Sequence, residues 1–406
     1  MFRRSAPACS AFASVKMGPP DAIFGLTTAF KADTDPTKVN LGAGVYRDDN
    51  NKPYVLECVR KAAASLTYPD MDYAGITGIP SFVATAQTLA FADSIPRERL
   101  SSGQSISGTG ALRLAATFMG RHYPSVGGDK IYLPKPTWGN HTPIFKDGGL
   151  HPEGYTYYDP TTKGINMEGL LKDFKALPER SMVLLHACAH NPTGVDPTKA
   201  QWREILDVVK SRNLFPVIDM AYQGFASGCL EEDAYALRLF AAEVPNLILC
   251  QSMAKNFGLY GQRCGAVHFL CEDKAEAARV TSQLNLVVRP MYSNPPIHGA
   301  KIVDAILEDP ALTQQWHTEL KGMADRMNNI RKDLVSNLAK EGSQLDWSHI
   351  TNQIGMMAYT GMTKDQVATL KSKHHIYMTD DGRAAISGVN SKNVEYIAKC
   401  FHDVTK

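Results

Sequence analysis

Leu247-Ile248-Leu249-Cys250-Gln251-Ser252-Met253-Ala254-Lys255-Asn256-Phe257-Gly258-Leu259-Tyr260-Gly261-Gln262-Arg263 is the stretch that decides the architecture of this chain. Residues 247–250 are apolar and β-type, and the run turns polar, glycine-bearing and cationic where they end. A lysine just past a buried strand stands where open α/β sheets hold their ligands. Partly removed from water and placed near a second cation, such a lysine loses affinity for its proton and becomes a nucleophile toward carbonyls.

Outward from this point, strand-like segments at 131–133, 154–158, 182–188, 215–218, 247–250 and 266–270 alternate with helical stretches such as 199–211 and 234–242. The alternation predicts an α/β fold with a mainly parallel sheet covered on both faces. Most of the strands are followed by chemically useful residues: Trp138, Asn191, Asp219, then Ser252 and Lys255. Strand ends of such a sheet converge on one crevice. Beyond Asp309-Pro310 the pattern changes. Leu312, Trp316, Leu320, Met323, Met327, Ile330, Leu334 and Leu338 recur every three or four residues, one face of a helix of ~28 residues and ~42 Å. Asp309 suits its cap and Pro310 its first turn. Segments 355–361 and 375–388 read as strand-bearing pieces of a smaller α+β unit, and 406 residues exceed what one core usually supports.

Composition narrows the function. Basic and acidic side chains number 43 and 41, a net charge of +2, too balanced for a nucleic-acid partner. No apolar run approaches the ~18 residues of a membrane span. The eight cysteines form no CxxC pair and several lie in apolar segments, which suits a reducing compartment. The first twenty residues carry Arg3, Arg4 and Lys16, several serines and no acid, the makeup of a mitochondrial transit peptide.

Several constellations carry chemistry. Ser107-Gly108-Thr109-Gly110, before a helical run at 111–119, is a candidate phosphate cradle. Small residues let the backbone approach an anion, and a helix N-terminus supplies free N–H groups. Asp219 ends a buried strand, where a carboxylate needs a cationic or hydrogen-bonding partner such as a pyridinium nitrogen. His186, Cys188 and His190 would share one strand face, but a tetrahedral metal site lacks an obvious fourth ligand; polar lining of the crevice is the preferred reading. Ser252-x-x-Lys255 with Tyr292-Ser293-Asn294 also fits part of a serine acyl-enzyme signature, whose Lys-Thr-Gly element is absent.

Together these strings resemble one family, the fold-type I, pyridoxal-phosphate-dependent aspartate aminotransferases. The likeness runs from Met17-Gly18-Pro19-Pro20-Asp21, similar to the start of mitochondrial members, through Asn40-Leu41-Gly42-Ala43-Gly44-Val45-Tyr46-Arg47 and His186-Ala187-Cys188-Ala189-His190-Asn191-Pro192-Thr193-Gly194 to Asp381-Gly382-Arg383. It implies a mainly parallel seven-stranded sheet in a large cofactor-binding domain, 50–322, and a smaller α+β domain, 323–406. A transit segment would occupy 1–14, and residues 15–49 would form an N-terminal arm and part of the small domain. The implied location is the mitochondrial matrix, with the cytoplasm as the alternative.

The resemblance also implies roles. Lys255 would carry pyridoxal phosphate and move the proton. Asp219, backed by His141, would keep the pyridine nitrogen protonated. Tyr222 and Asn191 would bind the ring oxygen, and Trp138 would stack on the ring. Ser107, Gly108, Thr109, Ser252 and Arg263 would hold the phosphate, with Tyr73 reaching in from a second subunit. Arg383 would clamp the substrate α-carboxylate, and Arg289 the distal carboxylate from across a homodimer. Gly44, Trp138 and Asn191 would complete the substrate site. The partners implied are dicarboxylic amino acids and keto acids: aspartate and 2-oxoglutarate exchanging an amino group to give oxaloacetate and glutamate. Met253 and Cys264 depart from the family pattern, and neither departure removes a catalytic group.

Overall fold

The computed structural model describes residues 10–18, 22–68 and 70–406. Parts of the expected transit segment (1–9) and of the opening motif (19–21) lie outside the described residues. Seven strands build the central sheet: β1 (Leu100–Ile106), β2 (Lys130–Lys135), β3 (His151–Thr156), β4 (Met182–His186), β5 (Phe215–Met220), β6 (Leu247–Ser252) and β7 (Cys264–Leu270). Their spatial order is β1-β7-β6-β5-β4-β2-β3. Neighbours from β6 to β3 pair in parallel. Only β7 runs against its neighbours, β6 and β1. The chain reverses after β6 through residues 253–263, too short a link for a helical crossover between parallel strands. Lys255 lies in that reversal.

Alternation along the strands sends side chains to two apolar layers. Met182, Leu184, Val217, Ile248 and Val267 pack on one face with Ala111, Leu112 and Ala115 of α1 (Ser107–His122) and Leu284 of α2 (Lys274–Tyr292). Val183, Leu185, Ile218, Leu247 and Leu249 face the helices Met167–Ala176, Lys199–Ser211 and Tyr235–Glu243. With both faces covered, the functional groups are left to the strand ends.

Two sequence expectations are corrected, and one strand was not anticipated. That strand is β1, where Ser101, Ser102, Gln104 and Ser105 are polar yet buried. Several of their partners arrive from afar, as when Ser102 Oγ meets His268 Nδ1 at 2.8 Å and Ser101 Oγ meets Thr281 Oγ1 at 2.7 Å. The segment 154–158 splits, because β3 ends at Thr156 and Tyr158–Asp159 pairs with Gly164–Ile165 instead. The expected strand at 182–188 stops at His186, so His186, Cys188 and His190 do not share a strand face.

The long helix is present as α3 (Pro310–Lys340), whose 31 residues span ~46 Å. The Asp309 side chain accepts from the N–H groups of Ala311 and Leu312 at 2.7 and 3.2 Å, satisfying donors that a helix start leaves free. Beside α3, Met357–Tyr359 pairs antiparallel with Arg383–Ala385, and Val39–Asn40 pairs in parallel with Ile376–Tyr377. Among the described residues no helix is long and apolar enough to cross a membrane.

Candidate active site

Lys255 is held from beneath by aromatic packing. Phe257 stacks on Trp316 of α3 with centroids 4.4 Å apart and planes 6° from parallel. Trp316 Nε1 donates to the Asn256 carbonyl at 2.8 Å. Gly258, at φ 62°, closes the turn by donating its N–H to the Lys255 carbonyl at 3.0 Å, a conformation open to glycine at no steric cost. Lys255 Nζ then lies 5.5 Å from the Tyr222 ring centroid. Burial lowers the Lys255 pKa, Asp219 opposes that shift and Arg263 reinforces it. The amine is poised to shed its proton.

Asp219 sits in β5 beside a chain of hydrogen bonds. His141 Nε2 is 3.1 Å from Asp219 Oδ2. Thr137 Oγ1 lies 2.7 Å from His141 Nδ1 and 3.3 Å from His186 Nε2. The Asn191 N–H donates to His186 Nδ1 at 3.3 Å. Pairing of β2 with β4 brings Thr137 and His186, 49 residues apart, to one spot. Burial opposes ionisation of Asp219, but the His141 hydrogen bond and the positive charge around it outweigh burial and hold its pKa below the ordinary value. Burial drives His186 down to about 3, so its ring is neutral at pH 7.

A third group of residues surrounds the start of α1. Ser107 has φ 60°, and the helix it opens has no side-chain cap, so its first N–H groups are free for an anion. Ser107 Oγ and Ser252 Oγ are 3.0 Å apart. A Cβ on Gly108 would stand 3.1 Å from Ser252 Cβ, so glycine keeps this cradle open. Arg263, at φ 51°, donates to the Tyr260 carbonyl at 2.9 Å and hydrogen-bonds no carboxylate among the described residues.

Arg383 completes the set. It is 5% exposed; Nη2 donates to the Gly42 carbonyl at 3.1 Å and Nη1 reaches Asn191 Oδ1 at 3.5 Å. Its Nε has no partner, and no carboxylate hydrogen-bonds its guanidinium among the described residues. Asp381 attracts it without hydrogen-bonding the guanidinium, and burying a cation with no directly paired acid is costly, which marks a residue suited to an anionic ligand. Lys255, Asp219, Tyr222, Asn191, Trp138, Gly44, Arg263, Arg383 and the start of α1 line one cavity of about 850 Å³.

This geometry has counterparts. Residues 36–401 match the profile described as Aminotransferase class I and II. The chain belongs to the class I and II aminotransferases. The mitochondrial aspartate aminotransferase of Dictyostelium discoideum is 52% identical over 400 residues, 97% of this chain and 93% of the relative. A solved mitochondrial aspartate aminotransferase from Trypanosoma brucei is 51% identical with a TM-score of 0.91, covering 94% of this chain and all of its own. An aromatic-amino-acid aminotransferase from Burkholderia pseudomallei, solved covalently bound to pyridoxal phosphate, is 41% identical with a TM-score of 0.94, covering 98% of this chain and 100% of its own.

Class I and II aminotransferases of this kind depend on pyridoxal phosphate, and the cavity suits that group: a low-pKa amine, an ionised acid, an uncapped helix start and an arginine free of acids face one space. Two predicted residues are not brought to it. Tyr73 is 84% exposed, and Arg289 is exposed in the last turn of α2, donating to Ser293 Oγ and to Asn294 Oδ1 at 3.2 Å. Sequence reasoning did not single out Thr137, Tyr260 or Met357. Thr137 directly precedes Trp138 at a strand end and was findable on that ground; Met357 carries no local signal. The partial serine-enzyme motif gains no support, since Ser252 Oγ is engaged by Ser107 and by the Ala254 N–H. Of the histidines considered as metal ligands, His190 stacks on Tyr157 at 4.1 Å and meets His186 at a tilt of 35°, with centroids 4.2 Å apart.

Proposed function

We propose that this chain transfers an amino group between L-aspartate and 2-oxoglutarate, giving oxaloacetate and L-glutamate, by a ping-pong cycle on pyridoxal phosphate. The observation that carries this reading is Arg383, a buried guanidinium that faces the Lys255 cavity without an acid partner. Its planar fork suits the α-carboxylate that all four compounds share.

When bound, pyridoxal phosphate supplies a carbonyl to take up the amino group and a pyridinium ring to withdraw electrons. Lys255 would hold it, then take the proton from the amino acid's Cα and return one later, a task suited to a lowered pKa. Asp219 would hold a proton at the ring nitrogen and His141 would hold Asp219. Tyr222 and Asn191 would bind the ring oxygen, and Trp138 would cover the ring face. Ser107, Gly108, Thr109, Ser252 and Arg263 would bind the phosphate.

The exposed Tyr73 and Arg289 fit a homodimer in which each chain lends both residues to its neighbour's cavity, Tyr73 toward the phosphate and Arg289 toward the distal carboxylate. The same proposal takes 50–322 as the large domain and 323–406, joined by 15–49, as the small one. Its setting is the mitochondrion, as the Dictyostelium and Trypanosoma relatives' names say of them, and within it the matrix.

The test is direct. With aspartate alone, the purified holoenzyme should release about one oxaloacetate per site and change its cofactor absorbance, then release glutamate once 2-oxoglutarate is added. No oxaloacetate and no spectral change would sink the reading.

A further inference from the structure

Arg331 lies on α3, outside the lining of the cavity, and is 1% exposed. Its donors meet only backbone carbonyls. Nη1 donates to Ile350 O at 3.1 Å, and Nη2 to Gly355 O at 2.8 Å and to Met357 O. Nε has no partner. Burial lowers its pKa to about 9, still above neutrality, so the charge persists. A buried cation facing neutral dipoles alone is expensive where leucine or methionine would fill the space. Something in the local backbone requires it.

The three carbonyls locate that requirement. Ile350 is in the helix Ser348–Asn352, Gly355 is a turn at φ 84°, and Met357 begins the strand Met357–Tyr359. The strand pairs with the one that carries the carboxylate clamp, Tyr359 opposite Arg383 and Met357 opposite Ala385. The Met357 side chain lines the cavity, its Cε 2.7 Å from where a Cβ on Gly44 would be. The Ile354 N–H, inside the same turn, donates to Gly194 O at 2.8 Å, tying it to the loop that bears Asn191. Arg331 thus draws together the turn and strand against which both Arg383 and Asn191 are registered.

We propose that Arg331 is a positioning residue for carboxylate recognition, setting the strand at Met357 so that Arg383 and the Met357 wall stand where the substrate binds. The inference rests on the aminotransferase reading, in which Arg383 takes the α-carboxylate. Displacement of a clamp by a fraction of an ångström weakens binding before it alters proton transfer, because the hydrogen bonds of Arg331 reach the turn and strand beside Arg383 and none reaches Lys255 or Asp219.

The test compares wild-type holoenzyme with Arg331→Met and Arg331→Lys. In Arg331→Met, KM for aspartate and the calorimetric Kd for succinate, an unreactive dicarboxylate, should both rise about tenfold, with kcat within about threefold and cofactor absorbance unchanged. Arg331→Lys should recover part of the loss, since an ammonium can serve two of the carbonyls. A variant that melts earlier but keeps wild-type KM and Kd shows a structural role only and overturns the proposal. Should neither variant fold, hydrogen exchange on the wild type decides: succinate must slow exchange at the amides of residues 354–358, and unchanged rates there refute the coupling. If wild-type enzyme binds no dicarboxylate at all, the aminotransferase reading fails instead.

Discussion

His141 Nε2 donates to Asp219 Oδ2 at 3.1 Å, and hydrogen bonds on the far side of His141 fix the direction of that donation. The Asn191 N–H can only give a proton, so His186 Nδ1 accepts. Neutral His186 therefore carries its proton on Nε2 and gives it to Thr137 Oγ1. The Thr137 hydroxyl is left to donate to His141 Nδ1, which leaves the His141 proton on Nε2. Thr137→Val cuts this chain without touching Asp219. It should shift the His141 ring away from a pure Nε2–H tautomer, read by nitrogen NMR, and lower kcat about tenfold, against roughly 10²–10⁴-fold for Asp219→Ala. An unaltered His141 nitrogen spectrum in Thr137→Val would contradict the directed chain.

Lys255 gives a pH-dependent stability. Its pKa is lowered in the fold by burial, so between that lowered value and the ~10.4 of an unfolded lysine the unfolded chain binds more protons. Stability therefore rises with pH across that window, and the penalty is fully present below it. Lys255→Met removes the penalty. Cofactor-free Lys255→Met should melt above cofactor-free wild type by a few degrees, on the order of 2–4 °C at the acid end, with the gap closing as pH approaches 10. Calorimetry from pH 6 to 10 checks it; a gap that widens with pH contradicts the sign.

How far the sequence reveals this molecule depends on the range of the interactions involved. Trp138, Asn191, Asp219 and Lys255 were legible because each lies at the end of a strand or a few residues past it, and parallel strands bring such positions together without any need to know their order. β1 was not legible. Its serines and Gln104 lack the apolar pattern of a buried strand, and three of them find partners in His268, Thr281 and Pro296, more than 150 residues distant. The relay through Thr137 and His186 was hidden for the same reason, since it needs the adjacency of β2 and β4. Arg331 carried no signal in the sequence, because its partners are backbone carbonyls with no sequence identity to detect.

A second titration concerns the N-terminal segment. His375 Nδ1 is 2.7 Å from Asp33 Oδ2, and the Tyr377 hydroxyl donates to the same oxygen at 2.6 Å. The hydrogen bond to Asp33 raises the His375 pKa. The Tyr377 hydroxyl, then the Asp35 N–H and His375, hold the Asp33 carboxyl far below its usual range. A raised histidine contributes stability below its ordinary pKa and loses it as pH rises through the raised value; a lowered aspartate loses its contribution only in strong acid. The link between residues 33–35 and 375–377 should therefore loosen above neutrality. Hydrogen exchange of residues 33–40, corrected for intrinsic rates, should be faster at pH 8.5 than at pH 5.5, by no more than about fivefold for a pair still open in part to solvent. His375→Gln should abolish the difference; its persistence would assign the effect to another group.

The placement of Arg289 and Lys255 makes the proposed shared site measurable. Arg289 is exposed at the end of α2 while Lys255 lies inside the cavity, and the cavity's own lining does not include Arg289. If each site takes Lys255 from one chain and Arg289 from its partner, Arg289→Asp and Lys255→Ala should each leave little activity on aspartate. Unfolding the two variants together and refolding them at equal concentration should yield hybrids in half of the dimers. Each hybrid holds one site with an intact Lys255 and a partner that supplies an intact Arg289, so recovered activity should approach about a quarter of wild type. A site built within one chain gives a different result, because no pairing of these variants then places both residues together. Mixtures no more active than the separate variants would therefore assign Arg289 to its own chain or to no substrate contact. In either case the specificity for dicarboxylates would need another cation.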